Sequence, residues 1–259
     1  MKKFLVLSVL FLAMQSPALA ETAVRVAPKA VWFSYHEQIM DETGLLAGVG
    51  LRLEHHTKRG LLLGIESEIL AGSLHYDGHY SDGGGVELDT NDLLSESTAY
   101  VGWEWTTGTL QVVPYAGIRF RYWRDDLIHR WGYLREITQW YLPVGLRVTR
   151  GLGSGWSLSV AGEGSLLLQG TVRSRLSDAG SEYGDAENEQ RFASGYGAKL
   201  SAGLLRRFDH LSVGIEPYLQ WYEVGRSRKD TVLYGDKTGQ VVEPYNNTFM
   251  AGIGIVFLF

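Results

Sequence analysis

The chain ends on Phe249-Met250-Ala251-Gly252-Ile253-Gly254-Ile255-Val256-Phe257-Leu258-Phe259. Alternate residues (Phe249, Ala251, Ile253, Ile255, Phe257 and Phe259) make one wholly apolar face, and Gly252 and Gly254 fall between them. A period of two sustained over about ten residues is the length of a tilted strand crossing a bilayer. An apolar strand closing a soluble domain is usually followed by a polar residue or two, whereas this one stops on the aromatic. A strand of this kind needs partners of its own kind, and the remainder of the chain is read for them.

The other end reads Met1-Lys2-Lys3, an apolar run from Phe4 to Met14, then Ser16-Pro17-Ala18-Leu19-Ala20 before Glu21. A charged start, a short apolar core and an Ala-x-Ala cleavage site are the parts of a secretory signal peptide. The expected domains are therefore a signal peptide over 1–20 and a single barrel domain over 21–259. No other segment approaches the roughly 18 uninterrupted apolar residues of a spanning helix. Cysteine is absent, which excludes disulfides, thiolate ligands and a thiol nucleophile. With 32 glycines, 12% aromatics and a net charge of -5, the composition is neither that of a disordered chain nor that of a nucleic-acid binder.

Between the ends, alternating strands recur. Ala30–Ile39 is the weakest, and Asp41–Gly44 is read as the break after it. Leu45–Glu54 follows, then a turn at Thr57–Gly60 and a strand from Leu61 to Leu74. A long polar loop is expected over Tyr76–Asp92. Leu93–Trp105, a turn at Thr106–Gly108 and Leu110–Tyr122 come next. A charged loop, Asp125–Arg135, leads to Thr138–Val148, and a Gly-rich turn at Gly151–Gly155 leads to Trp156–Leu168. After a polar loop over Arg173–Arg191 come Phe192–Leu204, a turn at Arg207–His210 and Leu211–Tyr222. A last loop, Arg226–Asn247, reaches the terminal strand. These are ten strands, with eight or twelve as alternatives. Short turns alternate with long loops, which is the pattern of an antiparallel up-and-down β-barrel in an outer membrane with its short turns periplasmic.

Alternation alone fits a soluble sandwich equally well; three features separate the two. Glycines sit mid-strand on the polar face, where a water-facing surface gains nothing from them but a narrow lumen needs the room. Apolar-face aromatics cluster at strand ends, with Trp103, Trp105, Trp156 and Phe257 at one level and Trp140, Tyr196, Trp221 and Phe249 at the other, as two headgroup girdles require. The export signal and the terminal aromatic agree with both. On these residues the chain resembles the small bacterial outer-membrane barrels of the OmpA/opacity-like group. The resemblance implies an outer-membrane location, contact with outer-membrane lipid and lipopolysaccharide, recognition of Phe259 by the barrel-assembly machinery, a monomeric state and no cofactor.

The polar face carries Arg52, Glu54, Glu66, Glu68, Glu96, Glu104, Arg119, Arg121, Arg147, Glu163, Lys199 and Glu216. In a lumen these must pair, since isolated buried charges are costly. They form either a salt-bridged plug or a narrow selective pore. Arg121, Arg124, Arg173, Arg175, Arg226, Arg228 and Lys229 collect at the outer strand ends, where Arg can bond lipopolysaccharide phosphates.

Candidate chemistry lies in the second outer loop, with His75, Asp77, His79 and Ser81 within a few residues, and in the next with Asp125, Asp126 and His129. His with Asp at a rim can activate a water or a Ser, or bind a divalent ion with carboxylates. Omptin proteases share the strand count and the residue types of Asp77, His79, Asp125 and Asp126. Lipid A deacylase barrels use a His-x-Ser pair, with which His79-Tyr80-Ser81 is similar in spacing. The expectation is a non-enzymatic barrel with a structural, surface-interaction or narrow-pore role, with a rim hydrolase acting on peptides or lipid A as the alternative. His36 is expected to point into the lumen. No zinc, P-loop, dinucleotide or nucleic-acid motif is present.

Overall fold

The computed structural model describes residues 20–79 and 84–259. Residues 1–19, where the expected signal peptide falls, and 80–83, which include Ser81, lie outside the described residues.

In chain order the strands are β1 (Ala20–Glu37), β2 (Met40–Thr57), β3 (Leu61–His79), β4 (Gly85–Trp103) and its short continuation β5 (Trp105–Thr107). Then come β6 (Leu110–Leu127), β7 (Leu134–Gly153), β8 (Trp156–Ser174), β9 (Ala186–Gln190), β10 (Gly195–Arg207) and β11 (Ser212–Val224). The last three are β12 (Asp230–Tyr234), β13 (Lys237–Val241) and β14 (Asn246–Leu258). Ten of these, with β5 counted as part of β4, form one closed antiparallel barrel in chain order. The seam is β14 against β1, in register from Arg25↔Leu258 to Glu37↔Asn246. Val24 and Phe259 also exchange backbone hydrogen bonds of 3.1 and 2.9 Å, so the terminal aromatic is held in the ladder. Closure leaves no open edge, which hydrocarbon would penalise through unpaired amides.

The connections alternate in length. At the turn end, Gly60 (φ +89°) and the pair Ser154 (φ 50°) and Gly155 (φ +78°) adopt the left-handed backbone that tight hairpins demand. At the loop end β9 extends the sheet beside β8, and β12 and β13 form a separate hairpin. The first loop-end connection differs from expectation: only Gln38 and Ile39 separate β1 from β2, and Asp41–Gly44 lie inside β2. The expected Tyr76–Asp92 loop is likewise mostly ladder, paired from His75↔Asp89 to His79↔Gly85. The charged loop expected over Asp125–Arg135 is also partly ladder, with Asp125 opposite Arg135. Above the lipid the outer face no longer needs to be apolar, so the hydrophobic alternation stops before the strand does. Strands of 18–20 residues such as β2 and β7 tilted in a barrel rise about 45 Å, well beyond an apolar band of about 25 Å.

The outward apolar face is the one expected. Leu45, Leu51, Val101, Val144, Leu200, Ile215 and Ile255 are exposed, and aromatic side chains ring them at both levels. Inward glycines receive tyrosine rings from the residue directly opposite: Gly64 from Tyr100, Gly145 from Tyr115, Gly252 from Tyr218 and Gly197 from Tyr222. A Cβ at Gly145 would lie 2.4 Å from the Tyr115 ring, so the glycine makes room for the neighbour that fills the lumen.

β1 corrects two expectations. It starts ten residues earlier than read, and its parity is reversed near the loop end. Val31, Phe33 and Tyr35 point inward and are buried, while Trp32 faces outward. His36 also points outward, bonded to Asp41, and so does not enter the lumen.

Candidate functional site

The interior is stratified along the barrel axis. Nearest the turn end is a charged zone. Arg52 meets Glu66 at 2.6 Å, Arg147 meets Glu54 at 2.6 Å, Arg119 meets Glu163 at 2.8 Å and Arg121 meets Glu96 at 3.2 Å. Lys199 reaches Glu66 at 3.5 Å. Two further cations come from the part of β1 that alternation in the sequence did not reveal: Arg25 pairs with Glu216 at 2.5 Å, and Lys29 pairs with Glu68. With these two, seven carboxylates face seven basic side chains, and the zone is neutral. The available signal was Val24 and Val26 flanking Arg25 in the same period of two.

His56 bridges Glu104 at 2.7 Å and Glu54 at 3.7 Å. The zone opens at the turn end into a vestibule of about 1110 Å³, lined among others by Arg25, Arg52, Glu54, His56, Glu104 and Arg147. Deeper in lies a void of about 50 Å³, among Tyr100, Arg119, Glu163 and Lys199.

Above the charges the lumen is filled by a dry layer. Val31, Phe33, Leu46, Leu70, Leu94, Trp123, Leu167 and Met250 are all at 0% exposure. Trp123 stands at its centre, with ring centroids 5.1 Å from Phe33 and 4.9 Å from Tyr35. The period of two placed all of these but Trp123 on strands, but only closure decides that seven separate strands aim these apolar members at one level.

Above this layer, in the mouth, five carboxylates gather around one guanidinium. Arg135 Nε donates to Asp125 at 2.9 Å and its Nη2 donates to Glu42 at 3.1 Å. Its Nη1 lies 3.8 Å from Glu37 and 3.7 Å from Glu243. Tyr35 donates to Glu37 at 2.9 Å and to Glu243 at 3.2 Å. Asp92 accepts from Trp123 Nε1 at 2.7 Å and from Thr90. The guanidinium also lies 5.1 Å from the Tyr35 ring and 5.3 Å from that of Trp123. Burial pushes Glu243, on the loop before β14, up to about 7, Arg135 opposing the shift and Glu37 adding to it. Of this cluster only Asp125 was singled out from the sequence. Glu42 and Asp92 are inward members of strand extensions read as loops, Glu37 ends the weakly patterned first strand, and Glu243 lies on the loop before β14.

The candidates for catalysis are placed apart. His75, Asp77 and His79 all point outward from one strand, each exposed. His75 Nδ1 comes 3.8 Å from Asp89. Among the described residues no hydroxyl hydrogen-bonds to either histidine. Asp126 pairs with Arg124 on the outer face while Asp125 points inward. The outer basic residues are mostly engaged: Arg173 with Glu187, Arg175 with Glu136, Arg228 with Glu189 and Lys229 with Gln240. Arg226 is exposed, and Arg121 belongs to the lumen.

No protein-family model and no curated protein matches the chain. Solved structures do. The outer membrane protease OmpT from Escherichia coli aligns over 94% of this chain and 98% of that one, with a TM-score of 0.58 at 10% identity. The fold is that of an outer-membrane β-barrel. The translocator domain of the autotransporter NalP from Neisseria meningitidis covers 96% of this chain and 92% of that one, at a TM-score of 0.42 and 8% identity. Neisserial surface protein A covers 91% and 97%, at 0.29 and 12%. At such identities the likeness to OmpT is one of fold alone, and the two lower scores carry no argument about this outer-membrane barrel.

Proposed function

We propose that this protein is a non-conducting, monomeric barrel of the bacterial outer membrane that acts through its extracellular mouth, in a structural or surface-interaction role. The supporting observation is the dry layer around Trp123, which fills the cross-section between the charged vestibule and the mouth. The vestibule then opens to the periplasm and ends blind. A salt-bridged lumen below and a packed layer above leave a hydrated ion no continuous path. Protein refolded into a planar lipid bilayer is expected to show no steady conductance; large, stable single-channel steps would overturn the reading.

A rim hydrolase acting on peptides or lipid A is the second reading, favoured by the fold shared with a protease and by the approach of His75 to Asp89. It ranks second because His75, Asp77 and His79 sit on the outer face of one strand, without a bonded hydroxyl among the described residues. Turnover of a peptide library or of lipid A that disappears in His75→Ala would promote it.

A further inference from the structure

The two polar zones of the lumen differ in one respect. Below the dry layer, acid and base are balanced; above it, Glu37, Glu42, Asp92, Asp125 and Glu243 face Arg135 alone among the described residues. Within the cluster, Glu42, Asp92 and Asp125 each offer an oxygen, and these three oxygens lie within 4.8 Å of one another. All three side chains are buried, Glu42 and Asp125 at 0% exposure.

The unfavourable geometry is built into the ladder. Asp92 on β4 is the direct cross-strand partner of Asp125 on β6. Like charges opposite each other in an antiparallel pair are destabilising, more so away from water. Glu42 comes in from β2. Arg135 takes one oxygen of Glu42 and one of Asp125. The second oxygens, Glu42 Oε2 and Asp125 Oδ1, are buried and have no hydrogen-bond partner. Two orphaned acceptors in a cluster with surplus negative charge require a cation or a shared proton.

We propose that Glu42, Asp92 and Asp125 form a binding site for a hard divalent cation such as Ca²⁺, which ties β2, β4 and β6 together at the mouth. The donor chemistry favours this class. It is all oxygen, with no His or thiolate to select a softer metal. Five carboxylates against one guanidinium leave a formal surplus of four negative charges, of which a divalent ion offsets two. The orphaned oxygens are available without displacing Arg135 from its own bonds. On the proposed topology the loop end faces the exterior, from which an ion would reach the cluster without crossing the dry layer.

Trp123 supplies the probe, since its Nε1 is bonded to Asp92. Folded protein in detergent, stripped with chelator, is titrated with Tb³⁺ under tryptophan excitation and with Ca²⁺ by calorimetry. The expected result is saturable sensitised emission that Ca²⁺ displaces and that Trp123→Phe strongly reduces. Glu42→Gln and Asp125→Asn should each weaken Ca²⁺ binding about tenfold or more, as loss of a charged oxygen ligand implies. Emission lifetimes in H₂O and D₂O should count few waters on the ion, which needs no variant to fold. Absence of saturable binding to folded wild-type protein would overturn the site in favour of shared protons. So would a bound ion that keeps most of its water, or affinity unchanged in both carboxamide variants.

Discussion

Arg135 is the residue on which the mouth depends. It is buried, and it is the one guanidinium among five carboxylates drawn from β1, β2, β4, β6 and the loop before β14. Removing one member of a buried ionic network leaves its partners uncompensated, at a cost of about 3–5 kcal/mol. Arg135→Met is accordingly expected to lower the free energy of urea unfolding in detergent by that amount. Arg135→Lys should recover part of it, since a point charge cannot span both Asp125 and Glu42. At the opposite end His56 bridges Glu54 and Glu104. His56→Ala removes both contacts and is expected to lower the free energy of unfolding in detergent by about 1–3 kcal/mol. Unfolding unchanged in the variant would show that the bridge contributes nothing. Neither residue is recognisable in the sequence as special, because all but their nearest partners are 48 to 108 positions away on other strands or loops.

At the scale of elements, β1 and β14 decide whether the barrel closes. β14 is legible at once from its apolar alternation. β1 is not, because its inner face changes character along its length: Arg25 and Lys29 serve the charged zone, while Val31, Phe33 and Tyr35 serve the dry layer. A strand with apolar residues on both faces at one end and mixed residues at the other gives a blurred period of two, and only the ladder with β14 resolves it. Phe259 closes that ladder through its two backbone bonds to Val24. Deleting Phe259 is expected to slow or reduce insertion into outer membranes in cells by removing the proposed signal to the assembly machinery. The truncated chain should still fold in detergent, where only the last pairing is missing. Equal membrane yield from both chains would remove the assembly role.

At the scale of the whole molecule, contact with lipopolysaccharide remains a proposal that charge can test. Arg124, Arg173, Arg175 and Arg228 already have carboxylate partners on the outer surface. Exposed pairs of this sort contribute about 0–1 kcal/mol and exchange readily for a phosphate. Reversing Arg173, Arg175, Arg226 and Arg228 to Glu together should weaken association with lipopolysaccharide vesicles and leave unfolding in detergent nearly unchanged. Binding that is insensitive to the reversal would assign these residues to ordinary solvated charge.

The sequence by itself determined what depends on local periodicity and on the solvent. The alternation, the glycines, the aromatic levels and the short turns specify ten antiparallel strands with a lipid face and a polar face, because each of those signals is complete within one strand. How far the strands continue above the lipid was hidden, since an outer face that meets water no longer has to be apolar. What fills the lumen was decided only by the tertiary structure. The register of ten strands sets which inward residues share a level, and so places a balanced charge zone, a dry layer and a surplus of buried carboxylates one above another. That stacking is a property of closure, and no single strand carries it.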